Sequence, residues 1–292
     1  MGWRTVCITE PAKLELKLGY LVVRGEQTAR ISLSEIEILI VESTSVAITT
    51  ALLCELSKRK IKIIFCDEKH NPYAELVNYH GSVDALRRLH EQLAWSDERC
   101  DWLWTEIVRN KILQQAILLT EEGHANEATM LHQYINELQT TDSTNREAHA
   151  AKVYFNALFG TNFSRQQESP LNAALNYGYS LLLSSFNKEI VSRGYLTQLG
   201  LHHHSSFNPF NFSSDLMEPF RPLVDRFVLN HKFSQFKNPE KHTMLEFLTL
   251  KLEINNSEQV LQQAINIYCS SVFRFLNNDK ALPIEFYRWH VS

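Results

Sequence analysis

The feature that most constrains this chain is a change of hydrophobic period near residue 80. Before it, short apolar runs alternate with polar residues and are separated by turn residues, the pattern of strands half covered by a core. WRTVCI (3–8), Leu14 to Lys17 and YLVVR (20–24) read as strands, with EPAK and LGY marking the joints. The alternation of Ile36, Ile38 and Ile40 predicts another strand, Ile61 to Phe65 one more, and PYAELVNY (72–79) a hairpin. One helix interrupts them over 49–60, where Leu52, Leu53 and Leu56 share a face and the basic SKRK end complements the helix dipole.

After about residue 85 the period lengthens to that of a helix. Ser96 is placed as an N-cap, Asp97 and Glu98 load the first turn, and a long helix follows through Trp104, Ile107, Val108, Ile112 and Leu119. Further helices are predicted over 126–138, 145–158 and 170–193. Ser257 is expected to cap a last one that carries Val260, Leu261, Ala264, Tyr268, Val272 and Phe275. Strands first and helices afterwards predict an α+β fold: a small β-rich N-terminal domain over 1–82, then a larger all-α domain over 83–292.

Only 9 Gly and 8 Pro stand among 292 residues that are 44% hydrophobic, which excludes a disordered, collagen-like or fibrous chain. No uninterrupted apolar run reaches the ~20 residues of a membrane-spanning helix. Charges fall where a signal peptide needs an apolar stretch, so a cytoplasmic protein is expected. The cysteines, Cys7, Cys54, Cys66, Cys100 and Cys269, show no C-x-x-C spacing for zinc or redox chemistry. Each has apolar neighbours and is expected to be a small buried hydrophobe in a reducing compartment.

The net charge of −4 taken alone argues against a nucleic-acid partner, but its distribution is uneven. Residues 1–80 carry 10 basic and 10 acidic side chains, residues 97–142 carry 3 and 9, and residues 143–237 carry 9 and 6. A net-positive stretch inside an acidic total permits an anionic partner there without demanding one.

Three places in the helical half could carry chemistry. Arg146, Glu147 and His149 lie on a helix whose other face is apolar, and the simplest reading is a first turn capped by Thr144 or Asn145 with Glu147 answering the dipole. His202, His203 and His204 follow Gly200-Leu201, and three adjacent imidazoles cannot share one face; one could be a metal ligand, or all could belong to a solvated loop. Phe207, Phe210 and Phe212 suggest that this loop packs down. Asp215 and Glu218 are spaced to point the same way on a helical turn, with Arg221 as counter-ion, although a capping box explains the same spacing. Taken together, carboxylates and an imidazole from distant segments are what a helical domain uses to hold a hard divalent ion.

The stretches NREAHAAKVYFNALFG (145–160), LTQLGLHHHSSFNPFNFSSD (196–215) and DLMEPFRPLVD (215–225) closely resemble the CRISPR-associated spacer-acquisition integrase and endonuclease, the larger adaptation nuclease. The opening MGWRT and the phrases LSEIEILIVEST and ITTALLCEL look like that family's N-terminal domain in its type II branch, so the resemblance runs almost end to end. It implies a metal triad of Glu147, His203 and Glu218, the histidine being chosen by placing the family's G-L-x-H pattern on Gly200 to His203. His202 and His204 stay open by a one-residue slip, and Asp215 and Arg221 look like auxiliary groups beside the ligands.

The function so implied is a Mg²⁺- or Mn²⁺-dependent DNA endonuclease and integrase. It would join short DNA fragments into a CRISPR repeat array by 3′-hydroxyl attack on phosphodiesters. The implied partners are double-stranded DNA, a second copy paired through a dimerising 1–82 domain, and the small companion adaptation protein in a heterohexamer. The type II branch adds an RNA-guided effector nuclease and a DNA-clamping accessory protein. Arg146, Lys152, Arg165, Lys188 and Arg193 are the basic residues able to face DNA backbone, each taken singly being an ordinary solvated charge as readily as a contact. Two rival readings use the same residues: a noncatalytic DNA-binding scaffold whose acids merely cap helices, and a metal-dependent phosphohydrolase of small nucleotides. The second lacks a phosphate-cradling Gly-rich loop.

Overall fold

The structure, a computed structural model, describes residues 4–76, 84–277 and 283–289. The chain divides into two compact units, residues 1–83 and 84–292.

The first unit holds two four-stranded sheets. In one, β1 (Arg4–Ile8), β5 (Ile36–Val41) and β7 (Lys62–Cys66) run parallel, and β8 (Pro72–Glu75) adds antiparallel to β7. The other is a meander of β2 (Ala12–Lys17), β3 (Tyr20–Arg24) and β4 (Thr28–Ser32), with β6 (Val46–Ile48) parallel to β2. β5, in the middle of its sheet, is buried at five of six positions, as a parallel strand covered on both faces requires. Helix α1 (Thr50–Lys58) adds Leu52 and Leu56 to a core shared with Val6, Leu14, Leu21 and Leu39. The strands β4 and β6 have no counterpart in the sequence reading: β4 is exposed or half-exposed throughout and carries no alternation strong enough to see. Of the expected hairpin after β7, β8 is described, and 77–79 lie outside the described residues.

All five cysteines are free thiols, and only Cys269 is buried. The expectation of five buried cysteines therefore fails at four of them. Cys54 is exposed because it lies half a turn from Leu52 and Leu56 on α1. Cys7 faces away from Val6 and Ile8 on β1, where its thiol donates to the buried Glu42 carboxylate at 3.2 Å. Burial, with that carboxylate beside it, pushes the Cys7 thiol pKa up.

The second unit is helical. In order come α2 (Ala85–Leu93), α3 (Asp97–Glu121), α4 (Ala125–Glu137), α5 (Arg146–Phe159), α6 (Pro170–Ser192), α7 (Asn211–Met217), α8 (Arg221–His231), α9 (Asn238–Leu245) and α10 (Leu261–Leu276). Helix α3 packs against α4, α5 and α8, and α6 packs against α7, α8 and α10. A short 3₁₀ turn, Glu218–Phe220, links α7 to α8; its Pro219 and the Pro222 of α8 each fall in a first turn, where a missing N–H costs little. No described helix is long and apolar enough to cross a membrane.

Among the described residues, the unit departs from an all-helical reading between α9 and α10. Ser257 does not cap α10: it opens β10 (Ser257–Val260), which pairs antiparallel with β9 (Lys251–Ile254). Asn255 and Asn256, both at positive φ (51° and 56°), form the two-residue turn that such a hairpin favours. An Asn-Asn pair is a strong hairpin signal that competes with a serine cap and prevails here.

Candidate active site

α3 supplies the floor of the site. Trp104 and Lys111 are seven residues apart and therefore lie on one stripe of the helix, the stripe that also carries the buried Val108. A lysine on that stripe is buried, and its ammonium pairs with Glu147 of α5 and, at 2.5 Å, with Glu218 of the 3₁₀ turn. Two acids distant in sequence thus converge on one positive charge. Arg221, at the start of α8, closes on the other Glu218 oxygen at 2.9 Å and lies over the Tyr179 ring at 4.9 Å.

Glu147 does not act as a helix cap. The α5 cap position is Asn145, left-handed at φ 55°, and its side chain caps nothing. The capping is done by Asp142, whose carboxylate accepts from the backbone N–H of Arg146 at 2.6 Å and of Glu147 at 2.9 Å. With its backbone so satisfied, Glu147 is free to turn its side chain toward Lys111.

The capping-box reading of Asp215 and Glu218 fails as well, because Asp215 lies inside α7 and is fully buried. Its carboxylate accepts from the backbone N–H of Leu201 at 2.6 Å, His202 at 3.0 Å and His203 at 3.3 Å, and also bonds Nδ1 of His203. The histidine run is therefore threaded onto one acid. A Cβ on Gly200 would lie 2.8 Å from that carboxylate and 2.3 Å from the His203 carbonyl oxygen, so only glycine lets the loop approach. Asp215 and Glu218 consequently serve different partners, one the loop and one Lys111.

The three imidazoles separate cleanly. His202 stacks flat on Trp104, with centroids 4.4 Å apart and planes 2° from parallel. His203 stands edge-on to the same indole at 5.7 Å with Nδ1 committed to Asp215, which leaves Nε2 as its remaining ligand atom. His204 is exposed. The loop does not pack down as a whole: Phe212 is fully buried, Phe210 partly so, and Phe207 is 97% exposed.

Charge follows the partners. Burial by itself would raise the Glu218 pKa, but Lys111 and Arg221 outweigh it and hold the acid below the usual carboxylate range. Burial would likewise lower Lys111, and Glu218 and Glu147 hold it above its ordinary value. The Asp215 hydrogen bond raises the His203 pKa, with Asp215, Glu218 and Glu147 adding their charges. The carboxylates at 147 and 218 therefore act electrostatically on His203 as members of one cluster. A buried ammonium already stands between the two acids, and two carboxylates with one imidazole are a donor set that suits a hard divalent cation.

The basic residues named from the sequence are dispersed and mostly engaged. Arg146 pairs with Glu137 at 2.9 Å and lies over the Tyr134 ring; Arg165 donates to Asn172 and Asn176, each at 2.5 Å. Arg193 binds Glu189, the Asn266 carbonyl oxygen at 3.1 Å and the Ser270 hydroxyl at 2.9 Å, and so ties α6 to α10. Lys188 is half-buried and Lys152 is exposed. Sequence reasoning passed over Lys111, Trp104 and Asp142. A lysine on the apolar stripe of α3 was the visible sign of the first.

Residues 6–252 match the family described as CRISPR-associated protein Cas1. The CRISPR-associated endonuclease Cas1 of Neisseria meningitidis serogroup C is 36% identical over 236 residues, 80% of this chain and 77% of that one. Among solved structures, a casposase bound to integration product superposes with a TM-score of 0.78 at 17% identity, covering 96% of this chain and 92% of that one. The Cas6-RT-Cas1–Cas2 complex gives 0.72 at 16% identity over 95% of this chain and 35% of that much longer one. At such identities the two structures show a shared fold. The family match and the Neisseria relative go further, and on them this chain belongs to the CRISPR-associated Cas1 family of endonucleases.

Proposed function

We propose that the protein is a metal-dependent DNA endonuclease and integrase that joins short DNA fragments into a CRISPR repeat array. The observation that carries the reading is the convergence of Glu147 and Glu218 on one cation, with His203 anchored by Asp215, three residues before Glu218 in the chain. Glu147, Glu218 and His203 would hold the divalent ion, Mg²⁺ or Mn²⁺. When bound, such an ion supplies positive charge to the scissile phosphate and lowers the pKa of the attacking hydroxyl.

The protein's own groups do the rest. Asp215 engages Nδ1 of His203, which would leave Nε2 as the atom to meet a metal, and pins the loop that carries it. Lys111, with Arg221 held between Glu218 and the Tyr179 ring, keeps the Glu218 pKa below the usual carboxylate range. In the joining step the 3′-hydroxyl of the fragment loses its proton and forms a new P–O bond. The strand's own 3′ oxygen leaves and takes up a proton. One phosphodiester is made for each broken, so no ATP is consumed. With water as attacker the same site nicks DNA.

Residues 83–292 form the catalytic domain in this reading, and residues 1–82 pair two copies of the chain. The partners are double-stranded DNA and the small companion adaptation protein, as the Cas1–Cas2 assembly sharing this fold suggests. An RNA-guided effector nuclease and a DNA-clamping protein would join them in the cytoplasm. The exposed Lys152 is the basic residue best placed to meet DNA backbone.

The test is strand transfer of a labelled duplex with 3′-hydroxyl ends into a repeat-containing plasmid, with the companion protein present and with or without Mn²⁺. Metal-dependent joining that disappears in Glu147→Ala, His203→Ala and Glu218→Ala is the expected result. Joining that survives in His203→Ala alone would move the ligand to His202 or His204. DNA binding without joining by the wild type would leave a scaffold.

A further inference from the structure

The cation between Glu147 and Glu218 belongs to the protein itself. Lys111 comes from the middle of α3, is buried, and has its ammonium bonded to Oε1 of Glu147 and 2.5 Å from Oε2 of Glu218. Both oxygens of Glu218 are then answered by protein cations, Oε1 by Arg221 and Oε2 by Lys111. A carboxylate oxygen can accept more than one partner, but a divalent ion shared by Glu147 and Glu218 would need the place of the ammonium that bridges them. Arg221 is planar, half-buried and held over the Tyr179 ring. Lys111 ends in a compact ammonium on a flexible four-carbon stem, and of the two it is the one that can move.

We propose that Lys111 is a built-in competitor for the metal position: it holds Glu147 and Glu218 together in the metal-free protein and is displaced when a divalent ion binds. Without it, two carboxylates would face each other unpaired and repel. With it, the acids are brought into register before any metal arrives, at the cost of a weaker apparent affinity. If the ammonium occupies the site most of the time, apparent metal affinity falls by the fraction of molecules in which the site is open. Lys111 is thus a positioning residue that sets the threshold concentration for metal loading. The inference rests on Glu147 and Glu218 being the metal-holding acids.

Its test is the affinity for Mn²⁺ alone, followed by the electron paramagnetic resonance signal of the free ion, with no DNA and no turnover. Lys111→Met and Lys111→Gln remove the competing charge; they are expected to bind Mn²⁺ about tenfold more tightly than wild type. The melting temperature of their metal-free forms should fall, and the rise on adding Mn²⁺ should exceed that of wild type. A residue that merely supported the site would give weaker binding when removed. Unchanged or weaker Mn²⁺ affinity in both variants therefore overturns the proposal. Glu147→Gln and Glu218→Gln are measured alongside. If they lose Mn²⁺ while the Lys111 variants bind as wild type, the metal-holding acids stand and the competition fails. If Glu147→Gln and Glu218→Gln bind Mn²⁺ as wild type does, the site assignment and the competition fall together. Should Lys111→Met not fold without metal, Lys111→Gln, which can still donate hydrogen bonds to the carboxylates, decides the matter.

Discussion

Glu218 and Asp225 are two buried acids seven residues apart, and the protein treats them in opposite ways. Glu218 is met by Lys111 and Arg221, and its pKa falls below the usual range although burial opposes this. Asp225, on α8, is met by two phenols: Tyr154 of α5 donates to Oδ2 at 2.8 Å and Tyr179 of α6 to Oδ1. Burial dominates there and raises its pKa to about 6 despite those hydrogen bonds. Burial alone therefore does not decide the charge of an interior acid; the sign and nature of its partners do. Of the two, Glu218 has cations at both oxygens and its ionised form is the favoured one, which is the state a metal-holding acid needs. Asp225 instead ties three helices behind the site.

The comparison breaks most visibly in activity. Glu218→Ala should lower metal-dependent strand joining by at least about a hundredfold, the effect of losing a ligand, while Asp225→Asn should keep it within a few-fold. Equal losses in the two variants, measured by single-turnover joining, would erase the distinction. Next in size is Asp215→Asn, which weakens the anchor of His203 and the loop without removing a ligand. A drop of about 10- to 100-fold in Mn²⁺ affinity or joining is expected, read by titration of the free ion.

The pH dependence of stability sharpens the contrast. The folded-state pKa of Asp225 is raised, so below about pH 4 both folded and unfolded states are protonated there and nothing is lost. As pH rises from about 4 to about 6 the unfolded chain ionises first, and stability declines by roughly 2–3 kcal/mol from this group. Asp225→Asn should remove that decline, so urea unfolding at pH 4.5 and pH 7 should show the variant gaining on wild type at the higher pH. Glu218 has the opposite sign: its lowered pKa contributes stability above the unfolded value, which is lost as pH falls through the folded one. The smallest effect belongs to the cap of α5. Asp142→Ala, which removes two backbone acceptor contacts, should cost about 1 kcal/mol by urea denaturation.

How far each feature could be read depends on the range of the interaction behind it. α1, α3, α6 and most strands were legible because amphipathic period is local. The β9–β10 hairpin was misread because a serine cap and an Asn-Asn turn made competing local claims. Glu147, His203 and Glu218 were legible through the family resemblance of the strings around them, whereas their physics was not. Each of the acids had a plausible capping role on its own segment, and three adjacent histidines offered no local reason to prefer one.

By itself the sequence determined the change from strands to helices near residue 80, most strands of the first unit and the amphipathic stripe of α3, lysine included. Only the tertiary structure decided what those residues face. Asp142 rather than Thr144 or Asn145 caps α5, Asp215 selects His203 by binding the loop backbone and Nδ1 together, and Lys111 bridges two acids from different helical segments. The reason is physical. Periodicity records which face of an element is covered, and it is written within a few residues. A buried charge is permitted only by its partner, and that partner here lies 36 residues away along the chain, at Glu147.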